Sequence, residues 1–80
     1  MDGQVKIKEL KEELGLAIRR RRHKLGISQE ELADKANIHR TYISSIELAK
    51  VDLGISVALK IATALGIPLS KLIKEAENNI

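Results

Sequence analysis

The 80-residue sequence predicts an all-α fold, five short helices around one aliphatic core. Three observations predict it. Apolar residues recur at steps of three and four along most of the chain, the period of a helix buried on one face. Residues that start and stop helices punctuate that pattern. The composition is 44% hydrophobic, yet Tyr42 is the one aromatic residue, so the core must be built from Leu, Ile, Val and Ala.

Helix 1 is predicted from about residue 5 to residue 24 or 25. Ile7, Leu10, Leu14, Ala17 or Ile18, and Leu25 form its apolar row. Gly15 interrupts it at a cost of about 1 kcal/mol relative to Ala. The segment therefore reads as an N-terminal helical extension, about residues 5–14, joined to a core helix. Gly26 is a C-terminal stop, because it accepts positive φ without strain. Ser28 caps helix 2, and Glu31 three residues later completes a capping box. Helix 2 is predicted over 29–36. Asn37 takes the turn, where a left-handed backbone is expected. Helix 3 runs from about 40 to 48, with His39 as an unusual N-cap. A loop follows over 49–54. Helix 4 starts at Gly54 or Ser56, carries Ile55, Ala58, Ile61, Ala62 and Leu65, and ends at Gly66. Pro68 suits the first turn of helix 5, where its missing N–H is not needed. Leu69, Leu72 and Ile73 are its buried stripe, and residues 77–80 are expected to fray. Residues 1–80 form one domain, with a helix-turn-helix over about 28–48. A domain this small buries only ~60% of its unfolded surface.

The bulk properties narrow the function. The chain has no Cys, so it has no disulfide or thiolate metal site. No apolar run approaches the roughly 20 residues of a membrane span, and no signal-peptide stretch is present. A cytoplasmic protein with no membrane partner is expected. Net charge is +3 and the pI about 9.4. Residues 19–24 read Arg-Arg-Arg-Arg-His-Lys without an acid. Such a patch is either a solvated helix face or a site for a polyanion. Residues 28–47 favour the polyanion. Their apolar positions Leu32, Ala33, Ala36, Ile38, Ile43 and Ile46 fold two helices against each other at a steep angle. That leaves Arg40, Thr41, Tyr42, Ser44 and Ser45 on or near the outer face of the second helix. Such a helix can enter the DNA major groove and present polar tips to base edges. Catalysis has no support here: there is no nucleophile–base set and no phosphate loop. His23 and His39 are not spaced as a metal pair. No enzyme activity, cofactor, metal or small-molecule ligand is expected.

Longer stretches carry a resemblance. They are Leu14-Gly15-x-x-Ile18-Arg19, then Leu25-Gly26-Ile27-Ser28-Gln29-Glu30-Glu31-Leu32-Ala33, then Tyr42-Ile43-Ser44 and Ile46-Glu47. Leu59-Lys60-Ile61-Ala62-x-Ala64-Leu65-Gly66-Ile67 and Leu69-Ser70-x-Leu72 complete the set. The chain resembles the Cro/C1-type, or XRE, helix-turn-helix family. The resemblance implies a five-helix domain of the lambda-repressor-like DNA-binding type, with helix 3 as recognition helix. Members usually bind palindromic operators on double-stranded DNA as homodimers and regulate transcription. The long first helix and Arg40-Thr41-Tyr42-Ile43-Ser44 are most similar to controller proteins of restriction–modification systems. A phage-type repressor, or an antitoxin acting by protein–protein contact through helix 5 and the tail, are the alternatives.

Residue roles follow on that pattern. Arg40 is expected to contact a guanine or else a phosphate, and Thr41, Ser44 and Ser45 to face bases, Ser45 most directly. Gln29 and the free N–H groups of helix 2 are expected to hold a phosphate, or Gln29 only to cap the helix. Tyr42 either touches the sugar–phosphate chain or is a partly buried structural residue. His39 contacts DNA or only starts its helix. Arg22 is assigned to phosphate and also falls near Glu47, where a pair would orient helix 3. Asn37 replaces the usual Gly of the turn. In the following loop only Lys50 keeps a charge suited to phosphate, beside the repelling Asp52. Arg21 stands where an apolar residue is common. Leu69, Ile73 and Ile80 form the expected dimer interface, or else only close the monomer core.

Overall fold

A computed structural model describes residues 3–80, with side chains from residue 6 onward. Five helices follow one another: α1 Gly3–Leu25, α2 Gln29–Ala36, α3 Arg40–Glu47, α4 Ile55–Ala64 and α5 Leu69–Glu77. No strand occurs among the described residues, and no single helix is long and apolar enough to cross a membrane. Each helix contributes one large, fully buried side chain: Ile18, Leu32, Ile43, Ile61 and Leu72. Around them α1 packs on α3 and α5, α2 on α3 and α4, and α4 on α5.

Four helix ends close in the same way. Gly26, Asn37, Ala49 and Gly66 all take positive φ. The residue after each donates its N–H to the carbonyl five positions back: Ile27 to Arg22, Ile38 to Ala33, Lys50 to Ser45 and Ile67 to Ala62, at 2.9–3.2 Å. This satisfies carbonyls that a helix end otherwise leaves without a donor. Two of the four ends lack glycine. Asn37 tolerates the conformation, whereas Ala49 at φ 58 carries a Cβ penalty.

Several expectations are corrected. α1 is continuous through Gly15, so no separate extension is joined to a core helix, and it begins before residue 5. Ile7 and Leu25 are exposed although they keep the helical period, because no element covers the ends of that stripe. Ile55 is 80% exposed at the first position of α4, outside the buried stripe assigned to it. Pro68 is the N-cap of α5, just outside its first turn. Glu77 belongs to α5, and the N–H groups of Asn78, Asn79 and Ile80 still bond to carbonyls behind them.

Candidate nucleic-acid interface

The orientation of α3 is set by polar contacts from three sides. Ser28 Oγ accepts the Glu31 N–H at 3.0 Å, and the Ser28 N–H donates to Glu31 Oε1 at 3.0 Å, the capping box that begins α2. His39 caps α3, its Nδ1 accepting the Thr41 N–H at 3.2 Å. At the other end of α3, Glu47 is buried and receives two helices. Arg22 of α1 donates Nε to Oε2 at 2.8 Å and Nη2 to Oε1 at 3.0 Å. Gln29 of α2 donates Nε2 to the same Oε1 at 3.1 Å. Arg22 Nη1 donates to the Ile27 carbonyl at 3.0 Å, which ties the α1–α2 turn into the same cluster. The hydrogen bond to Glu47 holds the Arg22 guanidinium above its ordinary pKa against the opposing effect of burial, and the Glu47 charge adds to it. Beside this cluster, α3 comes unusually close to α1. A Cβ on Gly15 would stand 2.6 Å from the Glu47 carbonyl oxygen and 2.7 Å from that of Ile46.

The residues in front of this brace are a mixed set. Arg40 and Thr41 are exposed, while Ser44 and Ser45 are half-buried on the same outer arc of α3. The Arg40–Thr41 end is the more open one. Gln29 is half-buried with its amide turned to Glu47. His39 and Lys50 are exposed. Arg19, Arg22, Gln29, Ser44, Glu47 and Leu48 line one shallow cleft beside α3.

Arg22 makes the pair with Glu47 that the sequence also offered for it. Its side chain is 9% exposed and Glu47's 3%, so the pair braces the C-terminal end of α3 at the floor of that cleft. Tyr42 is half-buried. Its ring packs on the core, and its hydroxyl lies 3.5 Å from the Asp52 carbonyl that accepts from it. Leu69 and Ile73 are half-buried against the core, and Ile80 is exposed. Three features had no clear signal in the sequence. Arg21 pairs with Glu75 of α5, which accounts for an arginine at an apolar position. Lys11 reaches Asp52 at 3.3 Å, so the acid of the α3–α4 loop is matched by a cation. Leu48, the C-cap of α3, is 58% exposed. Among the described residues no cluster of His, Cys, Asp and Glu could hold a metal.

Comparison with known proteins agrees with this geometry. The sequence profile of the helix-turn-helix family matches residues 18–72. Control protein C.SmaI of Serratia marcescens is 33% identical over 72 residues, which is 90% of this chain and 86% of that protein. The restriction-modification controller protein C.AhdI from Aeromonas hydrophila superposes with a TM-score of 0.75 at 33% identity, over 76% of this chain and 92% of that one. The clp gene regulator ClgR from C. glutamicum superposes with a TM-score of 0.83 at 27% identity, over 89% of this chain and 92% of that one.

Proposed function

Because the chain belongs to the helix-turn-helix family, of the Cro/C1 (XRE) type, we propose that it reads a palindromic operator as a homodimer. It is a DNA-binding regulator close to restriction–modification controller proteins, and controlling transcription in such a system, in the cytoplasm, is the role proposed for it. It acts by binding, without a catalytic step.

One observation carries the reading: α3 presents Arg40 and Thr41 to solvent while its far end is fixed by the Arg22–Glu47–Gln29 cluster. A helix meant for a groove needs a free polar face and a rigid back. Arg40 then makes a bidentate contact to guanine, worth about 1–3 kcal/mol of discrimination. Thr41, Ser44 and Ser45 approach neighbouring base edges. Gln29, His39 and Lys50 stand on phosphates, with the α2 N-terminus supporting Gln29. Tyr42 and Arg22 shape the reading head from within. Leu69, Ile73 and Ile80 of the α5 end join the two copies, which doubles the base pairs read.

Selection of bound duplexes from a random library tests this directly. Two inverted half-sites should be enriched, and sedimentation should show a dimer on them. Affinity should fall steeply as salt rises. Arg40→Ala should relax preference at one base pair per half-site, whereas Lys50→Ala should weaken all sequences alike. Equal competition by a scrambled duplex would overturn the reading.

A further inference from the structure

Leu48 is an anomaly on the proposed reading surface. It is a large apolar side chain, 58% exposed, at the end of a helix whose other outward positions are polar. Its N–H still bonds to the Ser44 carbonyl at 3.1 Å, so its Cα stays on the helical track of α3. At 3.6 residues per turn, Leu48 lies about 20° from Thr41 and about 40° from Ser44 around the helix axis. It shares its cleft with Ser44, with Gln29 of α2 and with the exposed Arg19 of α1. Arg19 gives this cleft an exposed cation for a DNA backbone and Ser44 a short hydroxyl that lets bases come close, while on its other side Leu48 borders Glu12 and Leu16 of α1. Along the outward arc of α3 itself, no long polar side chain follows Arg40.

We propose that Leu48 is a specificity-determining residue that reads thymine through its C5-methyl group. This rests on the proposal that α3 lies in the major groove. The thymine methyl is the apolar feature of that groove and distinguishes a T·A pair from the other three. Ser44 and Thr41 tell bases apart weakly with single hydroxyls. An apolar contact one turn beyond Ser44 adds discrimination without a further hydrogen bond. Leu48 stands eight residues after Arg40, about 12 Å along the helix. The thymine it reads is thus a separate base pair from the one Arg40 contacts.

The test uses the full chain and the duplex it selects from a random library. Each thymine of that duplex is replaced in turn by deoxyuridine, which removes the methyl and keeps every hydrogen-bonding group. We expect one thymine in each half-site at which the replacement weakens wild-type binding about fourfold, the worth of one buried methyl. At that position Leu48→Ala and Leu48→Asn should bind thymine and deoxyuridine duplexes alike. Both variants alter an exposed side chain, and their helical circular dichroism should match the wild type. No penalty at any thymine, or a penalty that persists in both variants, overturns the proposal and leaves the operator reading standing. Failure to select any duplex overturns the operator reading itself, and this proposal with it.

Discussion

The end of the molecule that carries α3 and the end that carries α4 and α5 share one aliphatic core and differ in the polar contacts added to it. At the first, α3 meets α1 and α2 through the Arg22–Glu47–Gln29 hydrogen bonds and through backbone carbonyls set against Gly15. At the second, α5 closes on the rest through Leu72 and Ala76, with the Arg21–Glu75 pair at its margin. Hydrophobic contact is non-directional and holds helices together without fixing their angle. Hydrogen bonds and steric contact with backbone fix orientation. The directional contacts are gathered around α3, the helix proposed to enter the groove. The other end needs adhesion more than precision, and it leaves Ile55, Leu59 and Ile80 exposed.

The hardest way to break this contrast is to remove Glu47. Glu47→Ala leaves the Arg22 guanidinium buried without its carboxylate, which should cost about 3–5 kcal/mol in chemical denaturation. The double variant Arg22→Met, Glu47→Leu should recover most of that stability, because apolar residues of similar volume often replace a buried pair without loss. It should not recover DNA affinity, since the directional brace is gone. Full affinity in the double variant would show that packing alone orients α3. Raising the pH is a poor substitute for the mutation. Pairing raises the Arg22 pKa, so its stabilisation is complete below the ordinary arginine range and is lost only above it.

Gly15→Ala comes next. Alanine gains about 1 kcal/mol of helix propensity over glycine. Against this, the new Cβ would lie 2.6 Å from the Glu47 carbonyl oxygen, backbone that cannot rotate away. We expect a net loss of about 1–3 kcal/mol, with α3 pushed off α1. A melting temperature above wild type would mean that the close crossing yields easily.

These two residues also mark what the sequence discloses and what it conceals. The bounds of α2 were legible because the capping box and Asn37 lie within ten residues of each other and act locally. The start of α3 was legible from His39 for the same reason. At Gly15 the local meaning, a weak point in a helix, is opposite to the tertiary one. Its true partner is the α3 backbone, more than thirty residues later. The Arg22–Glu47 pair was within reach only through the family pattern. Arg21–Glu75 spans 54 positions with no intermediate signal. Ile55 kept the right period and still lies outside the core, because period states which residues share a face and not whether anything covers it.

A smaller effect concerns the stop that follows α3. Ala49 holds φ 58 while its counterparts after α1 and α4, Gly26 and Gly66, are glycines. Ala49→Gly should relieve the Cβ strain and stabilise the domain by about 0.5–1 kcal/mol after the extra freedom of the unfolded chain is counted. Chemical denaturation reads this directly. A loss of stability would show that the Ala49 methyl packs usefully against its neighbours and outweighs the strain.

The smallest effect isolates burial itself. Lys11–Asp52 and Arg22–Glu47 both tie α1 to the α3 region, and both are ion pairs. Their side chains differ in exposure: 32% and 91% for Lys11 and Asp52, against 9% and 3% for Arg22 and Glu47. Water screens the first pair and holding a long lysine in place costs entropy, so a double-mutant cycle with Lys11→Met and Asp52→Asn should give a coupling of about 0.5 kcal/mol or less. That coupling should vanish as salt rises. A larger, salt-resistant value would mean that the loop after α3 is placed by charge as firmly as α3 itself. With the small value, the loop is held instead by Val51 and Leu53, which pack against the core, and burial rather than surface charge places it.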